Sequence, residues 1–191
     1  SMSLERTDNT EPSWNKSDYA KHLIASLAFL AQKQGDTIGY LSLSSLSSDE
    51  KPAFLHSASG ESHWRKLLSM MEENTSVGIF PQTKSYLSYI QQLNKNSMVF
   101  IVSDFHQNNN EITDFIKQLD SQNAEIIALQ LLDENEQNFN YHGAVRFKDL
   151  ETQQELLVTA SEAKTAYQEN FIGYQQKLKD QLLKQNVTHQ L

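Results

Sequence analysis

The residues best suited to chemistry sit in the stretch MVFIVSDFHQNNNE, Met98 to Glu111. An apolar run of strand length ends on a carboxylate, Asp104, with His106 and Gln107 close behind it in a polar loop. A carboxylate in that position can play four parts. It can cap the following turn or helix by accepting amide hydrogens near His106 and Gln107, a task for which aspartate is well suited. It can ligate a hard cation such as magnesium, directly or through a neighbouring group, since that ion prefers oxygen and keeps several waters. It can accept a phosphoryl group, but that needs companion acidic residues and a lysine at adjoining strand ends, and the sequence offers no such set. Or it can touch a protein partner directly.

The other candidates carry less. DENEQN, starting at Asp133, begins like a calcium loop, but Asn138 stands where the loop needs glycine and Ala144 where it needs glutamate. His56 and His63 flank a turn and read as independent surface residues. No serine lies in a G-x-S-x-G elbow, and the six glycines build no phosphate-binding loop. With no cysteine there is no disulfide, thiol nucleophile or thiolate metal site, so a metal would rest on oxygen or on the six histidines.

Bulk properties narrow the partners. A net charge of -8, from 16 basic and 24 acidic residues, supplies no excess cation to neutralise a phosphate backbone, so nucleic acid is not an expected partner. No run approaches the roughly 20 apolar residues that span a bilayer, and the amino terminus lacks the pattern of a signal peptide. The expected location is cytoplasmic, with any membrane tether belonging to a longer protein.

The elements that must position Asp104 follow from periodicity. Residues 1–15 read as an irregular leader, 16–186 as one domain and 187–191 as a tail. Tyr19, Leu23, Leu27 and Leu30 recur at helical spacing, with Ala20, Ile24, Ala28 and Ala31 broadening the face, Asn15 or Ser17 as cap and Gly35 as stop. Strands are expected at Asp36–Ser45 and in KPAFLHSAS, the latter an edge strand. Helices follow around Trp64, Leu67, Leu68 and Met71, and around Tyr86, Leu87, Ile90 and Leu93. SMVFIVSD and AEIIALQLL are continuous apolar runs, the mark of parallel strands buried on both faces, with a helix between them through Ile112, Phe115, Ile116 and Leu119. A hairpin turning near Thr152 and a long helix capped by Ser161, with a stripe through Ala163, Tyr167, Phe171, Tyr174, Leu178 and Leu182, complete the chain. The alternation predicts an α/β, doubly wound, mostly parallel sheet with helices on both faces. In such sheets ligands sit beyond the carboxyl ends of the strands, where Asp104 lies.

Several strings together, KSDYAKHLIASLAFLAQKQGDTIGYLSLS, VFIVSDF, ALQLLDENE and GAVRFKDLETQQELLV, resemble the bacterial family known as domain of unknown function 58, from about Lys16 to Tyr174. The resemblance implies a von Willebrand factor A-like fold and a neighbouring MoxR-type AAA+ ATPase as partner. It further implies a metal-ion-dependent adhesion site built from a D-x-S-x-S after the first strand, a threonine and an aspartate. Asp104 falls at the aspartate. No D-x-S-x-S precedes the first helix, and Ile79, beside Phe80, stands in the threonine place, so either the site is degenerate or the strand that completes it precedes Ser1 in a longer protein; with Asp104 alone, magnesium is expected to bind weakly. The function so implied is a non-enzymatic interaction module acting with the ATPase on client proteins, contacting them through His106, Gln107, Ile79 and Phe80. The alternative is a metal-dependent phosphoryl-transfer or hydrolase-like enzyme using Asp104. In the von Willebrand order a first strand lies between those at Asp36–Ser45 and Met98–Ser103. If the chain begins at Ser1, the lack of that strand predicts either self-association that completes the sheet or direct pairing of those two strands.

Overall fold

The computed structural model describes residues 15–43, 52–74, 80–94, 96–107, 110–120, 122–141, 143–148 and 155–191. They group into two compact units, one chiefly Trp14–Ser97 and the other chiefly Met98–Asp120 with Glu125–Leu191. Among these residues no helix is long and apolar enough to cross a membrane.

In the first unit, helix α1 (Lys16–Gln34) starts at Asn15, whose Oδ1 accepts the Asp18 amide at 2.8 Å, and stops at Gly35 with φ 86°. A left-handed residue there turns the chain out of the helix, and glycine does so without strain. Strands β1 (Ile38–Ser42) and β2 (Ala53–Ala58) form an antiparallel pair with an irregularity between Ile38 and Tyr40. A Cβ on Gly39 would meet Ser57 Oγ, which can rotate away, at 2.9 Å and the Leu55 carbonyl oxygen at 3.2 Å, so a side chain fits there only with a small shift of the strand. Helices α2 (Glu61–Glu73) and α3 (Thr83–Ile90) complete the unit. Its core joins Ile38, Leu55, Leu67 and Met71, with Ile24, Ala25, Ala28 and Ala31 of α1 packed against them. The inward face of α1 is thus the small-residue one. Tyr19 and Leu30, expected on the apolar stripe, lie on the opposite side of the helix from these packed residues and are more than half exposed.

In the second unit, β3 (Met98–Ser103), β4 (Glu125–Gln130) and β7 (Thr188–Gln190) make a three-stranded parallel sheet in the order β3-β4-β7. The expected parallel pairing holds over six residue pairs, from Met98 opposite Glu125 to Ser103 opposite Gln130. Burial of β3 does not follow: Met98 is 53% and Phe100 41% exposed, alternate residues that share one face of the strand, while Val99 and Ile101 on the other face are half-buried. Direct pairing of β1 with β3 is likewise not found among the described residues. Helix α4 (Glu111–Asp120) buries Ile112, Phe115, Ile116 and Leu119 at helical spacing. The short α5 (Glu134–Asn138) carries a capping box between Asp133 and Glu136. Strands β5 (Ala144–Lys148) and β6 (Glu155–Thr159) form the expected hairpin, whose turn lies outside the described residues. The long α6 (Ala160–Lys184) has Thr159 rather than Ser161 at its cap position and buries Leu178 and Leu182. The fold is therefore mixed α/β, with one parallel sheet of three strands and two antiparallel pairs among the described residues.

Candidate functional site

Strand β3 carries Ser103 and Asp104 to its carboxyl end, and the chain then bends through Phe105, whose φ is 56°. The left-handed region costs a residue with a Cβ about 1–2 kcal/mol, so something must hold Phe105 there. Its side chain is fully buried, with its ring 6.1 Å from that of His189. Its N–H donates to Ser103 Oγ at 2.9 Å, and its carbonyl accepts from the Tyr174 hydroxyl. The His106 N–H donates to Asp104 Oδ1 at 3.1 Å, closing a second side-chain turn. Asp104 thus does what a capping aspartate does.

Gln107 acts on the next element. Its Oε1 accepts the amides of Ile112 at 2.8 Å and Thr113 at 3.2 Å, satisfying donors that the first turn of α4 leaves open. Beneath the loop lies Gln130, 3% exposed at the end of β4. Its Nε2 donates to the Asp104 carbonyl at 3.2 Å, and its Oε1 pairs with His189 Nε2 at 3.0 Å. Since the amide oxygen can only accept, His189 carries its proton on Nε2. Burial, and then the charge of Lys179, hold the His189 pKa below the ordinary value, favouring the neutral ring. For Tyr174, burial is the main cause of a raised pKa. The Gln107 backbone hydrogen bond opposes it, while Asp104 and Glu111 add to it.

These contacts shape an open groove of about 230 Å³ lined by Gln107, Asn110, Tyr174, Lys177, Leu178 and Gln181. Its walls are amide-rich, with one cation and a small apolar floor. His106 is exposed, its ring 6.2 Å from that of Tyr174. Of the residues singled out in the sequence, Asp104, His106 and Gln107 come together here. Phe80 belongs to the other unit, edge-on to Tyr86 at 5.9 Å, and Ile79 lies outside the described residues. His63, expected at the surface, donates from Nε2 to the Ile38 carbonyl at 2.8 Å and ties α2 to β1.

Magnesium seeks six oxygens in near-octahedral array. Among the described residues no three His, Asp or Glu side chains gather as a metal-holding group, and one oxygen of Asp104 already takes the His106 amide. The described residues alone do not make up a magnesium site. The supporting residues that sequence reasoning missed are Gln130, Tyr174 and His189. Gln130 had left a signal: an amide within an apolar strand must find partners for both its ends.

The second unit is an α/β assembly whose parallel strands open onto a polar groove at the carboxyl end of β3. The chain belongs to the family described as "Protein of unknown function DUF58", which it matches over residues 3–177. No curated protein and no solved structure matches it.

Proposed function

We propose that the chain is a non-enzymatic protein-interaction module of von Willebrand factor A-like, doubly wound type, acting in the cytoplasm with a MoxR-type AAA+ ATPase on client proteins. The observation that carries this reading is the use made of the side chains at the strand end. Asp104, Gln107, Gln130 and Tyr174 all hold backbone groups of one loop or of the helix after it. Such support presets the shape of a contact surface, which lowers the ordering cost of binding. Lys177, Gln181 and His106 then face a partner from a prearranged wall. The MoxR-type partner comes from the family resemblance, and Asp104 contributes a weak magnesium contact at most.

The test is titration calorimetry of the purified chain against a MoxR-type AAA+ ATPase. Binding is expected, with Lys177→Glu weakening it roughly tenfold, or about 1.4 kcal/mol. Binding that is absent in the wild type, or unaffected by changes at Lys177 and His106, would refute the reading.

A further inference from the structure

The groove at the end of β3 is uneven in what it offers a guest. Gln107 commits its Oε1 to the amides of Ile112 and Thr113. Two N–H donors require an acceptor there, so the carboxamide orientation is fixed and Nε2, with its two hydrogens, is the end left for the groove. Those hydrogens meet no acceptor among the described residues. From α6 comes Lys177, exposed and in no ion pair among the described residues. The Tyr174 hydroxyl is already given to the Phe105 carbonyl, and Leu178, 1% exposed, forms the apolar floor. Asn110 and Gln181 each add a carboxamide that can present either end. The lining thus carries an excess of N–H donors and one positive charge, with no carboxylate among its residues.

Given that the groove is a partner surface, as proposed above, we propose that it holds the carboxylate of an acidic side chain on an extended segment of that partner. Lys177 Nζ and Gln107 Nε2 are its two donors, with no metal between. Charge-assisted hydrogen bonds of this kind are roughly twice as strong as neutral ones. A volume of about 230 Å³, open to solvent, lies below the roughly 300–1,000 Å³ of sites that enclose a drug-sized small molecule, and suits one side chain whose main chain runs on outside. Asp104 and Glu111 lie near enough to act on the Tyr174 hydroxyl. A doubly charged phosphate would be repelled by both with a single lysine to offset them, whereas one carboxylate is matched by Lys177 alone. A basic side chain would meet that ammonium and a donor pair it cannot use.

Two blocked tripeptides test the assignment: acetyl-Gly-Glu-Gly-amide and its glutamine counterpart of nearly the same shape, titrated by NMR into the full chain with a chelator present. The glutamate peptide is expected to bind at about millimolar concentration, at least roughly threefold tighter than the glutamine one, and to move the side-chain amide signals of Gln107 and Gln181. Lys177→Glu should invert the preference toward acetyl-Gly-Lys-Gly-amide, a change that a purely structural role for Lys177 would not produce. Gln107→Glu keeps an acceptor for the Ile112 and Thr113 amides, so α4 stays capped, yet it should remove the preference because a carboxylate then faces the guest. Equal binding of the glutamate and glutamine peptides, no inversion in Lys177→Glu, or signal changes confined to Lys179 and Lys184 would each overturn the proposal. Binding seen only when the chelator is left out would do the same, by making a metal the holder. ATPase binding without any peptide preference would sink this assignment alone, and peptide preference without ATPase binding would sink only the choice of partner.

Discussion

Phe105 sets two physical effects against each other in a way that a pair of substitutions can separate. The side chain is 0% exposed, and truncating a buried phenylalanine to alanine costs about 3–5 kcal/mol. Its backbone has φ 56°, where a Cβ costs about 1–2 kcal/mol that glycine does not incur. Glycine also has more freedom to lose on folding, worth about 0.5–1 kcal/mol against alanine. At an ordinary buried position Phe→Gly is the worse change by that amount. At Phe105 the backbone effect outweighs it, so Phe105→Gly should be equal to or more stable than Phe105→Ala, by up to about 1.5 kcal/mol. Phe105→Ala should lie about 3–5 kcal/mol below the wild type, and Phe105→Gly at least about 1.5 kcal/mol below it. Urea unfolding followed by circular dichroism is the suitable assay, because residues 98–191 contain no tryptophan to report on this unit. Alanine more stable than glycine by half a kilocalorie, or a loss near zero in both, would show that neither the turn nor the packing is as described.

Gln130→Met removes two hydrogen bonds, each worth about 1 kcal/mol net, and should lower stability by roughly 2 kcal/mol in the same assay; an unchanged midpoint would deny Gln130 its supporting role. His189 titrates lower in the folded chain than unfolded, so the unfolded chain binds more protons between the lowered value and 6.5. Stability is therefore full above that window and falls as the pH drops through it; melting curves of His189→Gln should show a flatter dependence there, and an equal slope in both proteins would count against the assignment. Magnesium should bind no tighter than about millimolar by calorimetry, since one fixed carboxylate is too few for that ion. Micromolar binding lost in Asp104→Ala would reveal ligands beyond those described.

Much of the local structure could be read from the chain because its signals were local. Asn15 and Gly35 delimit α1 by capping chemistry alone, and the apolar runs of β3 and β4 imply parallel pairing. The capping part of Asp104 was also legible, since it depends on the amide two residues away. What was missed depends on distant partners. Strand β7 is the polar tripeptide THQ, with no period to mark it, and it stands where His189 meets Gln130, 59 residues away in sequence. Helix α5 did carry its signal, Asp133 with Glu136 three residues on, but the same acidic string resembles an ion loop and drew attention to that instead. The support for the groove likewise joins Tyr174 to Phe105 across 69 residues, a separation no sequence window covers.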